Sequence, residues 1–171
     1  RRGKRAGYLE GCLAELCGVE SAMVTNNCAA ALVLILRHLT EVKKEVVISR
    51  GELVQIGGDY RIPDILESTD ARLKEIGTTN RTNLEDYNKA LSKDTALVLK
   101  VHRSNFFMEG FVGSPDRREL AALARKKRVP FVEDVGSGVF LPTESWANGH
   151  HEPTPKEILK NGADLVCFSG D

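Results

Sequence analysis

No stretch of this sequence approaches the roughly 20 consecutive apolar residues that a bilayer-crossing helix needs. The most apolar run, "AAALVLILRHL" (29–39), is too short and closes on Arg37 and His38. An excess of one charge is also missing: 24 Lys and Arg stand against 24 Asp and Glu. That balance excludes a surface built throughout to coat nucleic acid. One local run, "RRGKR" (1–5), is strongly basic, and a solvated end is its plainest reading. The four cysteines, Cys12, Cys17, Cys28 and Cys167, form no CxxC pair and show no metal-ligand spacing with histidine. They read as reduced thiols of a cytoplasmic protein, and no metal is expected. GxGxxG and GxxxxGK[ST] are both absent, which removes the dinucleotide and P-loop readings. No secretory signal pattern is present, and the first residue is not Met, so the sequence reads as an internal segment.

What the 171 residues do contain is alternation, in a length that suits one domain with a core. "SAMVTN", "EVVIS", "ARLKEIG", "TALVLKV", "VPFVEDV" and "ADLVCFSG" read as strands. Helical patterns lie before and between them. "YLEGCLAELCG" places Leu9, Cys12, Leu13, Leu16 and Cys17 on one face, with Gly18 as a stop. "NLEDYNKAL" has Asn83 as cap and Asp86 three residues on. "SPDRRELAALARKK" has Ser114 as cap and Pro115 in its first turn. "TPKEILKNG" pairs Thr154 with Glu157. This order predicts an α/β fold: a mainly parallel sheet flanked by helices. The one loop-rich stretch, 136–154, is long enough to suggest a functional loop.

In open parallel sheets, ligands bind beyond the carboxyl ends of the strands. The residues there are "TNNCAA", "SRGEL", "GTTNRT", "HRSNFF", "EDVGSG" and "FSGD", a polar set. "TNNCAA" precedes a helix, so its free N–H groups suit an anion, while Asn26 or Asn27 as a simple cap explains it equally. Asp134, late in an apolar strand, suits a metal, a ribose or a protonated ring nitrogen, or else a core Arg or a turn. His150 and His151 read as solvated. Lys100, inside an apolar strand, is a candidate for a nucleophile of lowered pKa.

"VTNNCAAALVLIL", "SRGELVQIGGDYRIPDIL", "EIGTTNRTNLEDYNKAL", "LVLKVHRSNF", "FVEDVGSG" and "GADLVCFSGD" occur in this order. Together they resemble bacterial selenocysteine synthase, the L-seryl-tRNA(Sec) selenium transferase family, over residues 3–171. The resemblance implies the large domain of the aspartate-aminotransferase-like (fold type I) transferases, with pyridoxal 5'-phosphate as cofactor. It implies conversion of seryl-tRNA(Sec) to selenocysteyl-tRNA(Sec) by selenophosphate through an aminoacrylyl intermediate, in a cytoplasmic homo-oligomer, a ring of dimers. By the same resemblance Asn26, Asn27 and Cys28 hold the cofactor phosphate and Asp134 its ring nitrogen. Ser104, Asn105, Ser137 and Ser169 line the cofactor, and Asp171 immediately precedes the Schiff-base lysine. Arg50 and Arg81 are the candidates to hold selenophosphate or a tRNA phosphate, with a structural ion pair as their other reading. An amino-terminal tRNA-binding region, the lysine and a carboxyl-terminal small domain are expected outside residues 1–171.

This sequence departs from the family pattern at several places. Cys28 stands where the family has a third Asn, Ala6 and Tyr8 where it has an aromatic and a His, and Phe106 and Phe107 where it has Tyr and Arg. These departures keep two other readings open: a related lyase acting on a small amino acid or amino-sugar phosphate, and a non-catalytic α/β module.

Overall fold

The computed structural model of the protein describes residues 5–144 and 151–170. Five strands form one sheet: β1 (Glu45–Ser49), β2 (Arg72–Ile76), β3 (Thr95–Val101), β4 (Phe131–Ser137) and β5 (Leu165–Ser169). Every pairing is parallel, and the spatial order is β2-β1-β3-β4-β5. The helices are α1 (Arg5–Cys17), α2 (Cys28–Leu39), α3 (Ile62–Ser68), α4 (Leu84–Ala90), α5 (Arg117–Lys127) and α6 (Pro155–Lys160).

Side-chain alternation divides the core between the two faces of the sheet. Val46, Ile48, Leu97, Leu99, Val132 and Cys167 pack with Leu32 and Leu36 of α2 and Ile62 and Leu66 of α3. Val47, Val98, Phe131 and Val135 pack with Tyr87 of α4, Leu120 and Ala124 of α5 and Ile158 of α6. Both faces of β1 and β3 are therefore covered, which is why these strands are apolar at nearly every position. The connection through α3 leads outward from β1 to β2. The one through α4 then returns across β1 to β3, and the chain proceeds to the other edge. The order reverses between β1 and β3, whose carboxyl ends open a crevice.

Three local expectations are corrected. The 21–26 segment is not a strand. It has no strand partner among the described residues, Met23 is 70% exposed, and Thr25 Oγ1 already turns back to donate to the Asn27 carbonyl. Only three apolar residues in succession were there to support a strand. The cap of α5 is Asp116, not Ser114: its Oδ1 accepts from the N–H groups of Arg118 (2.8 Å) and Glu119 (3.3 Å). A carboxylate there offsets the positive end of the helix dipole as well as its open donors. In α1 the buried residues are Ala14 and Cys17, while Leu9 and Leu16 are about half exposed; among the described elements α6 is the one that packs most against this helix. Elsewhere the expected caps form. Asn83 and Asp86 exchange reciprocal bonds, and Thr154 accepts from Glu157 N–H at 3.1 Å.

Candidate active site

Asp134 sits in β4 opposite Cys167 of β5, on the face covered by α2. It is almost fully buried. The Cys28 thiol, at the first residue of α2, donates to its Oδ1 at 3.3 Å. The Gly136 N–H donates to the same oxygen at 3.0 Å. Burial pushes the Asp134 carboxyl above its ordinary value, against the pull of the Gly136 N–H and the thiols of Cys28 and Cys167. The Cys167 thiol is pushed well up by its hydrogen bond with Cys28 and by burial, beside the Asp134 charge.

The backbone then turns sharply. Gly136 adopts φ 74°, and a Cβ there would meet Ser104 Oγ at 2.6 Å. Gly138 lies so close to β5 that a Cβ would meet the Phe168 ring and the Ser169 carbonyl. Small residues at these two places let the loops after β3, β4 and β5 converge. Ser104 is brought against Gly136, and Ser137 pairs in register with Ser169. Cys28, Ser104, Asp134, Ser137 and Ser169 therefore share one mouth.

The other sequence candidates are held differently. Asn27 caps α2, its Oδ1 accepting from Ala30 N–H at 2.8 Å, and Asn26 is exposed beside it. Asn105 donates to the Gln55 carbonyl at 3.0 Å, which ties its loop to the one after β1. Arg50 pairs with Glu75 at 2.9 Å and donates to the Gly77 carbonyl, near the β2 edge. Arg81 makes a backbone bridge with Gly113. Asp171 and His150 lie outside the described residues. His151 is not simply solvated: its ring nitrogens bridge Glu144 (2.6 Å) and Glu157 (3.1 Å). Those two hydrogen bonds, Glu144 first, raise its pKa.

Lys100 points to the opposite face of the sheet. Its amino group pairs with the buried Glu52 carboxylate at 2.5 Å, so it is engaged on that face rather than free in the mouth beside Asp134. Nearby, Arg117 holds the fully buried Glu133 through both carboxylate oxygens, and His102 meets Glu152 at 2.7 Å. A polar cavity of about 510 Å³ lies among Glu52, Lys100, His102, Arg103 and Arg117.

Sequence reasoning missed Cys167, Glu52 and Glu133. Strand periodicity does signal Glu133, an acid alternating with Val132 and Asp134. Nothing in the sequence reveals which thiol lies across from Asp134, because that requires the β4–β5 register.

All 171 residues match the family model described as L-seryl-tRNA selenium transferase. The chain is 48% identical over 170 residues to the L-seryl-tRNA(Sec) selenium transferase of Clostridium perfringens, covering 99% of this chain and 36% of that protein. Against the same-named protein of Aquifex aeolicus it is 46% identical over 171 residues, covering 100% of this chain and 38% of that protein. The chain thus spans well under half the length of these curated relatives. Among solved structures, D-glucosaminate-6-phosphate ammonia-lyase superposes with a TM-score of 0.73 at 19% identity, over 97% of this chain and 45% of that one. The methionine gamma lyase CalE6 from Micromonospora echinospora gives 0.65 at 22% identity, over 95% and 38%. At such identities the likeness shows the fold alone, the fold type I architecture expected from the sequence.

Proposed function

The chain belongs to the L-seryl-tRNA selenium transferase family, and from that membership we propose that the protein converts seryl-tRNA(Sec) to selenocysteyl-tRNA(Sec), with selenophosphate as selenium donor and pyridoxal phosphate as cofactor. One structural observation carries the reading: the buried Asp134 carboxylate at the mouth of β4, beside the start of α2. Burial disfavours its ionised form, and an adjacent protonated ring nitrogen is the cation that would restore it. The donor set therefore fits the cofactor. When bound, pyridoxal phosphate supplies an electron sink for the carbon from which the seryl α-proton departs.

The chain's own residues have distinct tasks in this reading. Asp134 holds the ring-nitrogen proton. The open N–H groups at the start of α2, with Asn26 beside them, hold the phosphate, for which a helix start is suited. Asn27 positions those groups as the cap. Cys28 serves Asp134 through its side chain and the phosphate through its N–H. Ser104, Ser137 and Ser169 supply hydroxyls around the mouth, and Asn105 braces the loop that carries Ser104. Asp171 leads to the lysine expected after it. Of the two arginines proposed for a substrate anion, Arg50 is already engaged by Glu75, so Arg81 is the better candidate. The apolar surface that Tyr8 and Met23 expose, at 83% and 70%, suits burial in a homo-oligomer. Among the described residues no helix is long and apolar enough to cross a membrane, in keeping with a cytoplasmic site of action.

The test is product formation. Full-length protein supplied with pyridoxal phosphate, seryl-tRNA(Sec) and selenophosphate is expected to yield selenocysteyl-tRNA(Sec). Asp134→Asn is expected to lower the rate by about 10²–10³, the usual scale for losing one electrostatic partner of a reacting group. Turnover of a free amino acid or amino-sugar phosphate, with no selenocysteyl product, overturns the reading.

A further inference from the structure

We propose that Cys28, Asp134 and Cys167 form a binding site for a soft divalent cation of the zinc class in the cofactor-free protein. The ligand atoms of these three buried residues all lie within 4.8 Å of one another. Tetrahedral zinc, with Zn–S near 2.3 Å and Zn–O near 2.1 Å, needs S···S of about 3.8 Å and S···O of about 3.6 Å. The Cys28–Asp134 edge is already 3.3 Å, so closure requires side-chain shifts of about 1 Å or less, set against the same zinc geometry.

The setting suits a cation. Cys28 is the first residue of a twelve-residue helix, which fixes its sulfur beside Asp134. The Gly136 N–H orients the Asp134 carboxylate, the outer-shell support that ligating groups need. Two sulfurs with one oxygen select zinc, cadmium or cobalt over magnesium or calcium. Three protein ligands leave a fourth position for water or an added ligand.

The test uses the full-length protein, stripped of cofactor, in metal-free buffer with a phosphine reductant. Titration with Co²⁺ is expected to give a sulfur-to-cobalt charge-transfer band and tetrahedral d–d bands. These should saturate at one equivalent per chain and be displaced by Zn²⁺. Cys28→Ser and Cys167→Ser should each reduce the charge-transfer component by at least half, and the double serine variant should lose it, while Asp134→Asn should weaken binding at least tenfold. The Cys12→Ser/Cys17→Ser double variant should retain the full signal. Should a serine variant fail to fold by circular dichroism, alkylation of the wild-type protein gives the same answer. Zn²⁺ should then slow modification of Cys28 and Cys167 but not of Cys12. A cobalt spectrum without sulfur character overturns the proposal. So does a band unchanged in Cys28→Ser or Cys167→Ser, or equal alkylation with and without zinc.

Discussion

The Cys28 thiol stands 3.3 Å from Oδ1 of Asp134, 106 residues away in the chain. A carboxylate from the middle of the sheet is thus supported by the start of a helix laid down long before it. This contact makes Asp134 a group of the tertiary structure rather than of its own strand, and its titration should show that.

Burial raises the Asp134 carboxyl above its ordinary value. An acid whose folded pKa exceeds its unfolded one binds more protons when folded, so its ionisation opposes folding. In the cofactor-free protein, stability relative to Asp134→Asn should therefore fall as pH rises from the ordinary carboxylate range through the raised native value. It should then level off, and the two proteins should converge in acid. Each unit of elevation corresponds to about 1.4 kcal/mol. Urea denaturation at a series of pH values measures the difference, and a constant gap across that range would contradict the assignment.

Glu52 and Lys100 form a buried pair, each side chain under 10% exposed. Glu52→Ala strands the Lys100 charge, and a loss of about 3–5 kcal/mol is expected, as for other buried pairs broken on one side. Replacing both, as Glu52→Leu with Lys100→Met, should recover most of that loss. Chemical denaturation of the two variants decides the point. Equal losses would mean that the pair matters through packing rather than charge.

Gly136 combines a positive φ with close approach to Ser104 Oγ. Gly136→Ala should cost about 1–3 kcal/mol for the backbone strain alone. Adding Ser104→Ala should relieve the steric part but not the strain. A double-mutant cycle should therefore give a coupling of about 0.5–3 kcal/mol, the range for residues in contact. Strict additivity would show that the loops after β3 and β4 do not meet at these residues.

Much of the fold was legible in the sequence because its cues are local. Thr95–Val101 is apolar at every position but its first and Lys100, and Asn83 with Asp86 spells a capping box. The segment around Met23 misled because alternation over a few residues cannot tell a strand from an extended lead into a helix. Pro115 makes Ser114 look like a cap, while Asp116, which accepts two bonds, is the stronger capping group. At the site, Asp134 stands out as an acid in an apolar run, and the place of Cys28 at a helix start suggests a phosphate but not a partner for its thiol. Its side chain faces Asp134 instead, a fact set by how α2 packs on the sheet beside β5. Arg50 showed its charge but not its partner, since Glu75 is its neighbour only once β1 and β2 pair.

The pairing of Asp134 with Cys167 in the β4–β5 ladder also fixes what a misaligned chain would lack. A slip of one residue between these strands would set Val166 or Phe168 opposite the acid and turn the thiol to the other face of the sheet. Such a species would keep its helices, its parallel sheet and much of its apolar core. It would have lost one of the two sulfurs beside the carboxylate, so the reactivity of Cys167 distinguishes the correct alignment from its nearest error.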